Sequence, residues 1–165
     1  MPFSLIPDGV YPSIFQIQPE ALAARGIKLL LADLDNTLAK YGQAEPDEAI
    51  RAWKAALDGA RVRLFLLSNS RKPTRARHFA EALGIPYLGH AGKPKRLGFQ
   101  TAMERMGCTP AQTAMVGDQI FTDILGAKRS GVLALMVEPI ELAGNPGRYL
   151  RYGVETPFRA LGKRK

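Results

Sequence analysis

The sequence has 165 residues, which suits one domain, and 46% of them are hydrophobic, which excludes a chain that is disordered by composition. The formal net charge of +8 favours an anionic partner, such as nucleic acid, an anionic membrane surface or a phosphorylated substrate. The single cysteine, Cys108, excludes a disulfide framework and a cysteine-based zinc site. Because the sequence lacks both a signal-peptide layout and an apolar stretch of the roughly 20 residues that span a bilayer, we expect a cytoplasmic protein, at most peripheral at a membrane.

Short apolar runs alternate with helical patterns along the chain. The runs predict strands at residues 28–33, 62–69, 85–89, 113–118 and 132–137. The helical patterns predict helices at about residues 46–58, 73–83, 95–106 and 120–129. This alternation predicts an α/β sandwich of three layers, in which helices cover both faces of a central parallel sheet of about five strands. We expect a single domain over residues 1–165, with a lead-in at 1–27, a core at 28–137 and a basic tail at 138–165.

Polar side chains end or follow four of the five predicted strands. They are Asp33 and Asp35, Ser68 and Asn69, Lys93, and Asp118. Ligands of parallel α/β sheets bind outside the carboxyl ends of the strands, so we expect these groups to converge at one edge of the sheet. That convergence indicates a functional site more strongly than any one of the segments does.

Asp33, Asp35 and Asp118 are the carboxylates of this edge. Two acids as close as Asp33 and Asp35 oppose each other's ionisation, and a divalent cation removes the conflict. Carboxylate oxygens are the ligands that Mg²⁺ prefers, which predicts a magnesium site. A turn or a helix cap is the alternative, and it explains a single Asp better than three. A calcium loop starting at Asp33 is excluded, because Leu38 stands where that loop requires glycine.

The Ser68 hydroxyl and the Asn69 amide can hold phosphate oxygens. Lys93 would neutralise charge beside the acids and attract a phosphate, and Lys95 and Arg96 are close enough in sequence to assist it. Read alone, each of these residues also fits an ordinary polar loop or a solvated surface.

Asp123 follows Asp118 by five positions and is expected either near the metal or as a helix cap. A metal, a cation, hydroxyl donors and two carboxylates predict phosphoryl transfer, in which one Asp attacks phosphorus and the other handles the proton of the leaving oxygen. The sequence contains no Walker loop, so this chemistry is not that of a P-loop NTPase.

Four segments resemble the motifs of the haloacid dehalogenase superfamily in order and spacing. They are DLDNTL at 33–38, SN at 68–69, KP at 93–94 and GDQIFTD at 117–123. The match spans about residues 28–137, and the DxDxT pattern is the one that the phosphatases of the superfamily carry. The segments LIPDGVYPSIFQIQPEALAARGIKLLLADLDNTL and VGDQIFTDILGAKRSGVLALMVEPI are similar to the YqeG-type branch of subclass IIIA, which is itself similar to phosphatidylglycerophosphate phosphatases of the mitochondrial type.

The resemblance implies a Mg²⁺-dependent phosphatase and a role for each motif residue. Asp33 would be the nucleophile that forms an aspartyl-phosphate, and Asp35 would be the general acid and then the base that activates water. Asp33, the backbone carbonyl of Asp35, and Asp118 would ligate Mg²⁺. The resemblance further implies substrate binding by Ser68, Asn69 and Lys93, with Thr37 and Asp123 in support.

The motif spacing leaves no room for a cap domain after Thr37 or after Asn69, so we expect an open site that admits a bulky anionic substrate. Phosphatidylglycerophosphate is the leading candidate among such substrates. Two other functions remain open: a phosphatase of polynucleotide ends or of small phosphate esters, and a non-catalytic RNA- or ribosome-associated protein on the same fold. The complete set of motif acids argues against the non-catalytic protein. The substrate and the oligomeric state are not predicted.

The tail mixes aromatic residues with basic ones, which suits an anionic membrane surface and, less well, nucleic acid. A solvated tail with a few packed aromatics is the alternative. The basic residues are Arg148, Arg151, Arg159, Lys163, Arg164 and Lys165. Apolar residues of the lead-in either join that surface or wrap the core, and they are Phe3, Leu5, Ile6, Tyr11, Ile14 and Phe15. Because every motif residue precedes residue 124, we expect removal of residues 148–165 to leave hydrolysis of a small ester intact.

Overall fold

Six parallel strands form one sheet in the computed structural model, which describes residues 4–70, 72–141 and 146–162 but not the side chains of residues 73 and 146–151. The strands are β1 (Gly9–Tyr11), β2 (Leu29–Ala32), β3 (Arg63–Leu67), β4 (Tyr87–Leu88), β5 (Thr113–Gly117) and β6 (Leu133–Val137). Their order across the sheet is β1-β6-β5-β2-β3-β4, and every neighbouring pair is parallel. The carboxyl ends of all six strands therefore lie at one edge.

Six α-helices in the described part of the chain connect or flank the strands. They are α1 (Pro19–Ala24), α2 (Glu48–Gly59), α3 (Pro73–Leu83), α4 (Arg96–Met106), α5 (Leu125–Ser130) and α6 (Pro146–Leu161). A π-helical turn, Ile120–Ile124, leads into α5. The Asp47 side chain caps α2 by accepting from the Ile50 N–H at 2.9 Å. Helices α3, α4 and α5 end at Gly84, Gly107 and Gly131, which adopt the left-handed conformation that stops a helix.

Alternate residues of the central strands point to opposite faces of the sheet, and each face has its own apolar core. On one face Leu30 and Leu66 pack with Trp53 of α2 and Phe79 of α3. On the other face, the strand residues pack with Phe99 of α4 and Ala127 of α5. Burial on both faces explains the unbroken apolar runs of β2, β3 and β5. The predicted three-layer sandwich is confirmed.

The five predicted strands and four predicted helices are all present, with ends that shift by a few residues. The sheet has one strand more than predicted, because β1 in the lead-in pairs with β6. Most of the tail forms α6, while Phe3, residues 163–165 and the side chains of Arg148 and Arg151 lie outside the described residues. Within the described chain, the segments after β2 and β3 hold no inserted cap domain. No helix in this part of the chain is both long enough and apolar enough to cross a membrane.

Gly98 allows α4 to approach the loop that follows β4. A Cβ at this position would lie 2.4 Å from the backbone oxygen of Ala91, which cannot move without displacing the loop. We therefore expect Gly98→Ala to lower the free energy of unfolding by about 1–3 kcal/mol, measured by urea denaturation. Gly59→Ala is the matched control, because a Cβ added to this exposed glycine of α2 would meet nothing within 4 Å. It should be neutral or stabilising by roughly 0.5–1 kcal/mol, and equal losses in the two variants would contradict the explanation.

Candidate active site

Four charged side chains from three segments of the chain meet at the carboxyl edge of the sheet. Asp33 follows β2, Lys93 lies in the loop between β4 and α4, and Asp118 and Asp123 follow β5. One carboxylate oxygen from each of the three acids lies within 4.8 Å of the others. The convergence expected from the parallel sheet is therefore present.

Lys93 is the buried cation of this cluster. Its Nζ lies 2.9 Å from Asp33 Oδ1 and 2.7 Å from Asp123 Oδ1, and only 1% of its side chain is exposed. Burial by itself lowers the pKa of Lys93, but the carboxylates of Asp123 and Asp33 outweigh that effect, and the pKa is raised above its ordinary value. Lys93 is therefore positively charged at neutral pH. Lys95 and Arg96, which the sequence left as possible assistants, are exposed at the start of α4.

Asp123 is fully buried beneath the site. Burial raises the pKa of its carboxyl to about 6, against the lowering effect of Lys93 and with a further increase from Asp33. Its second oxygen, Oδ2, accepts from the Gln119 N–H at 3.2 Å. A Cβ at Gly117 would lie 2.1 Å from this same oxygen, so only glycine leaves room for the Asp123 carboxylate.

The two acids of the first motif, DLDNTL at 33–38, contact different partners. Asp33 turns toward Lys93 with 14% of its side chain exposed, whereas Asp118 and Asp123 are 3% and 0% exposed as residues. Asp35 instead pairs with Arg75, whose Nη1 lies 2.5 Å from Asp35 Oδ1. Asp33 is therefore the acid of the three-carboxylate cluster that solvent and substrate reach most easily.

The other predicted residues line this edge in distinct ways. The Thr37 hydroxyl donates to Asp118 Oδ1 at 3.4 Å. Ser68 is buried, and its Oγ accepts from the Ser70 N–H at 3.1 Å. The Asn69 amide donates to the Lys93 carbonyl and accepts from the Lys93 N–H, each at 2.9 Å. This double hydrogen bond indicates that Asn69 holds the Lys93 loop in place. It favours that role more than the predicted role, a direct contact with phosphate.

Three charged residues at this edge were missed by the sequence analysis. Arg75 of α3 binds Asp35 and donates to the backbone carbonyls of Lys40 and Gln43. Glu155 and Arg159 of α6 are buried and contact the segment that follows β5. The sequence did contain one indication of a pair in α6: Glu155 and Arg159 are four positions apart, a spacing that brings opposite charges together on one helix face. These contacts argue against the expectation that hydrolysis of a small ester survives removal of residues 148–165, because the removed segment bonds the backbone of Asp118.

Asp33, Asp118 and Asp123 form a donor set that fits a divalent cation. Three carboxylates gathered at a largely buried place oppose one another's ionisation, and a divalent cation would relieve that conflict. Hard carboxylate oxygens are the ligands of Mg²⁺ in proteins. Asp33 and Asp118 are two of the predicted ligands, and Asp123, predicted in support of the site, lies in the same cluster. The ion pair of the Asp35 side chain with Arg75 leaves the third predicted ligand, the backbone carbonyl of Asp35, unaffected.

The fold and this site define a class of protein. Residues 19–131 match the family model of the haloacid dehalogenase-like hydrolases, so the chain belongs to that family. It is a phosphatase of the family, an enzyme that hydrolyses phosphoric monoesters.

Two relatives are similar to the chain in sequence, and one solved structure is similar to it in fold. It is 31% identical over 160 residues to "Probable phosphatase YqeG" of Bacillus subtilis, covering 97% of this chain and 91% of that protein. It is also 31% identical to the chloroplastic phosphatidylglycerophosphate phosphatase 1 of Chlamydomonas reinhardtii, covering 94% of this chain but only 66% of that protein. A hypothetical protein of Xanthomonas campestris has the same fold, with a TM-score of 0.52 at 17% identity over 98% of this chain and 94% of that one.

Lys93 is the positive charge that balances two acids in the metal-free protein. We expect Lys93→Met to lower the free energy of unfolding by about 3–5 kcal/mol, because Asp33 and Asp123 would lose the cation that offsets the cost of their burial. Urea denaturation without metal measures the loss. Addition of Mg²⁺ should restore part of it, because a cation bound only by the folded state stabilises that state.

Lys95→Met is the matched control, since it removes the same side chain from an exposed position two residues away. It should change the free energy of unfolding by no more than about 0.5 kcal/mol. Equal stability of the Lys93→Met protein and the wild type would contradict the importance of this ion pair.

Proposed function

We propose that the protein is a Mg²⁺-dependent phosphomonoesterase that works through an aspartyl-phosphate on Asp33. The observation that carries the proposal is the partly exposed Asp33 carboxylate, 2.9 Å from the buried ammonium of Lys93 and beside Asp118 and Asp123. A carboxylate that is accessible while its neighbours are buried is suited to attack a substrate. Asp33, Asp118 and the backbone carbonyl of Asp35 would hold Mg²⁺, with Asp123 close by.

The two acids of the first motif divide the reaction between them. In the first step an Asp33 oxygen forms a bond to phosphorus, the bond from phosphorus to the leaving oxygen breaks, and Asp35 gives that oxygen a proton. In the second step Asp35 removes a proton from water, whose oxygen attacks phosphorus and releases phosphate and the Asp33 carboxylate. Arg75 orients Asp35 through their ion pair.

Lys93 and Ser68 would bind the phosphoryl oxygens during both steps. The Lys93 ammonium is fixed by two carboxylates and by the Asn69 amide on its backbone, so it needs no rearrangement when charge develops on the phosphoryl group. Bound Mg²⁺ would offset the negative charge of the phosphoryl group and of the acids around it.

We infer that the substrate is a lipid phosphate, with phosphatidylglycerophosphate as the leading candidate. The support is threefold: the site carries no cap, a relative is named for this substrate, and an apolar cavity adjoins the site. The cavity has a volume of about 340 Å³, within the range of small-molecule sites. Thr37 belongs to its wall and bonds Asp118, so the cavity begins next to the acid cluster.

The walls of the cavity are mostly apolar, and the two acids in them already have hydrogen-bond partners. Ile14, Leu38, Ile50 and Val137 contribute to the lining. Of the acids in the wall, Asp47 caps α2 and Glu138 accepts from the Tyr152 hydroxyl at 2.7 Å. Phe15 and Ile140 border the cavity and are 44% and 45% exposed, and the exposed Lys40 adds a positive charge. This combination suits an aliphatic chain joined to an anionic headgroup.

A peripheral contact with an anionic membrane follows from this substrate. Phe15 and Ile140 lie at the carboxyl edge, where the site opens, and can enter the lipid interface together with the substrate.

Phosphatase activity on polynucleotide ends or on small esters is the alternative, and it requires no apolar cavity. A non-catalytic RNA-associated role is disfavoured, because the acids and Lys93 that phosphoryl transfer needs are assembled in one cluster.

Asp33 is expected to be indispensable for hydrolysis. Asp33→Asn keeps the size of the side chain but removes the nucleophile and one metal charge, so an aryl phosphate assay with Mg²⁺ should find almost no activity in a folded protein. Asp35→Asn should lose about 10²–10⁴-fold, the usual worth of general acid–base catalysis. Beryllium fluoride should inhibit the wild type by occupying the position of phosphate on Asp33. Wild-type rates in Asp33→Asn would exclude the proposed mechanism.

The exposed apolar residues at the cavity border should govern selectivity for long acyl chains. We expect Phe15→Asp and Ile140→Asp to lower the ratio of kcat/KM for a long-chain to a short-chain lipid phosphate by about tenfold, because a charge at this place opposes entry of the chain. Mixed-micelle assays with both substrates give the ratio, which cancels any general loss of activity.

Ile6→Asp is the matched control, because Ile6 is 42% exposed but precedes β1 at the opposite edge of the sheet. Its ratio should equal that of the wild type. A ratio that is unchanged in all three variants would remove the cavity from substrate binding. Faster hydrolysis of oligonucleotide phosphates than of any lipid phosphate would favour the polynucleotide alternative.

A further inference from the structure

Helix α6 carries a buried pair of opposite charges that the proposed mechanism does not use. Glu155 Oε2 lies 3.2 Å from Arg159 Nη2, and the side chains are 1% and 3% exposed. Buried ion pairs are seldom more stabilising than apolar residues of similar size. The reason for this pair therefore lies in what else its atoms contact.

Both members of the pair contact the backbone that carries Asp118. Arg159 Nη2 donates to the Asp118 carbonyl oxygen. Glu155 Oε1 accepts from the N–H groups of Ile120 at 2.9 Å and Phe121 at 3.3 Å. These are N–H groups at the start of the π-helical turn, where a carboxylate is electrostatically favoured and intrahelical acceptors are missing. The pair thus holds the chain on both sides of Gln119.

Arg159 also ties this loop to the neighbouring strand. Its Nη1 donates to the Val137 carbonyl at 3.5 Å and to Glu138 Oε2 at 3.4 Å. Its guanidinium carbon lies 4.5 Å from the centre of the Tyr152 ring. The planar fork of one arginine therefore connects the ends of β5 and β6 to α6, which the single ammonium of a lysine cannot do.

We propose that Glu155 and Arg159 are positioning residues that hold the Asp118 loop in the geometry needed to bind the metal, an inference that rests on the proposed Mg²⁺ site. The pair fixes the Asp118 backbone from one side, while the Thr37 hydroxyl bonds the Asp118 carboxylate from the other. Partners of metal ligands typically contribute 10–100-fold to metal affinity. Helix α6 lies beyond residues 19–131 that match the family model, so the C-terminal segment contributes to the site from outside that core.

The test measures metal affinity separately from activity. Titration calorimetry with Mn²⁺ on the full chain should show dissociation constants about tenfold or more above the wild type for Glu155→Gln and Arg159→Lys. Glu155→Gln preserves the size of the side chain but removes the ion pair, and Arg159→Lys preserves the charge but removes the planar fork. Hydrogen exchange of the Ile120 and Phe121 amides should accelerate in both variants, since their acceptor is weakened or displaced.

Two control variants separate positioning from general loss of stability. Lys54→Gln breaks a partly exposed ion pair on α2 and should leave Mn²⁺ affinity unchanged. Leu83→Ala destabilises the core at the end of α3, far along the chain from the loop, and should lower the melting temperature without weakening Mn²⁺ binding. A folded Glu155→Gln protein with wild-type Mn²⁺ affinity would overturn the proposal.

The outcome for the wild type distinguishes this inference from the proposed function. If the wild type binds no Mn²⁺, the proposed metal site is wrong, and the positioning of Asp118 for a metal is overturned with it. If the wild type binds Mn²⁺ and both variants bind it equally well, the metal site stands and the role of Glu155 and Arg159 alone is overturned.

Discussion

The placement of one ammonium group, that of Lys93, between Asp33 and Asp123 is the interaction on which the rest of the site depends. A lysine can be buried only where opposite charges compensate the lost hydration, so the three segments must meet closely. Gly98 lets α4 approach the loop that carries Lys93, and Gly117 leaves space for the Asp123 carboxylate. The glycines at these two positions, one in α4 and one at the end of β5, are therefore requirements of the charge cluster and not of the helix or the strand.

The same cluster explains why two acids stand so close together in the first motif. Asp33 and Asp35 have different partners, Lys93 and Arg75, and each partner comes from a different element. Although the two carboxylates are only two positions apart in sequence, each is therefore paired with its own cation. In the proposed mechanism this separation lets Asp33 attack phosphorus while Asp35 transfers protons.

Local patterns in the sequence predicted most of the fold and the central residues of the site. Strands buried on both faces leave unbroken apolar runs, and motif residues at strand ends converge whenever the strands are parallel. Strand β1 was missed because it has only three residues between prolines, and α6 because Gly153 and Pro157 are poor helix residues. The contact of Arg75 with Asp35 and those of Glu155 and Arg159 with the Asp118 loop were missed because they join positions far apart in the chain. The four-residue spacing of Glu155 and Arg159 predicts only their pairing with each other.

The pairing of β1 with β6 has a consequence for the order in which the chain folds. Gly9 lies opposite Leu135, so among the described strands the first in chain order pairs with the last. Contacts of such separation in sequence form late, because the chain between them must first be ordered. Strand β1 has only three residues, so before β6 is available it offers few backbone groups for pairing with another strand. The part of the cavity wall that follows β1 is therefore complete only after the ribosome has passed residue 137.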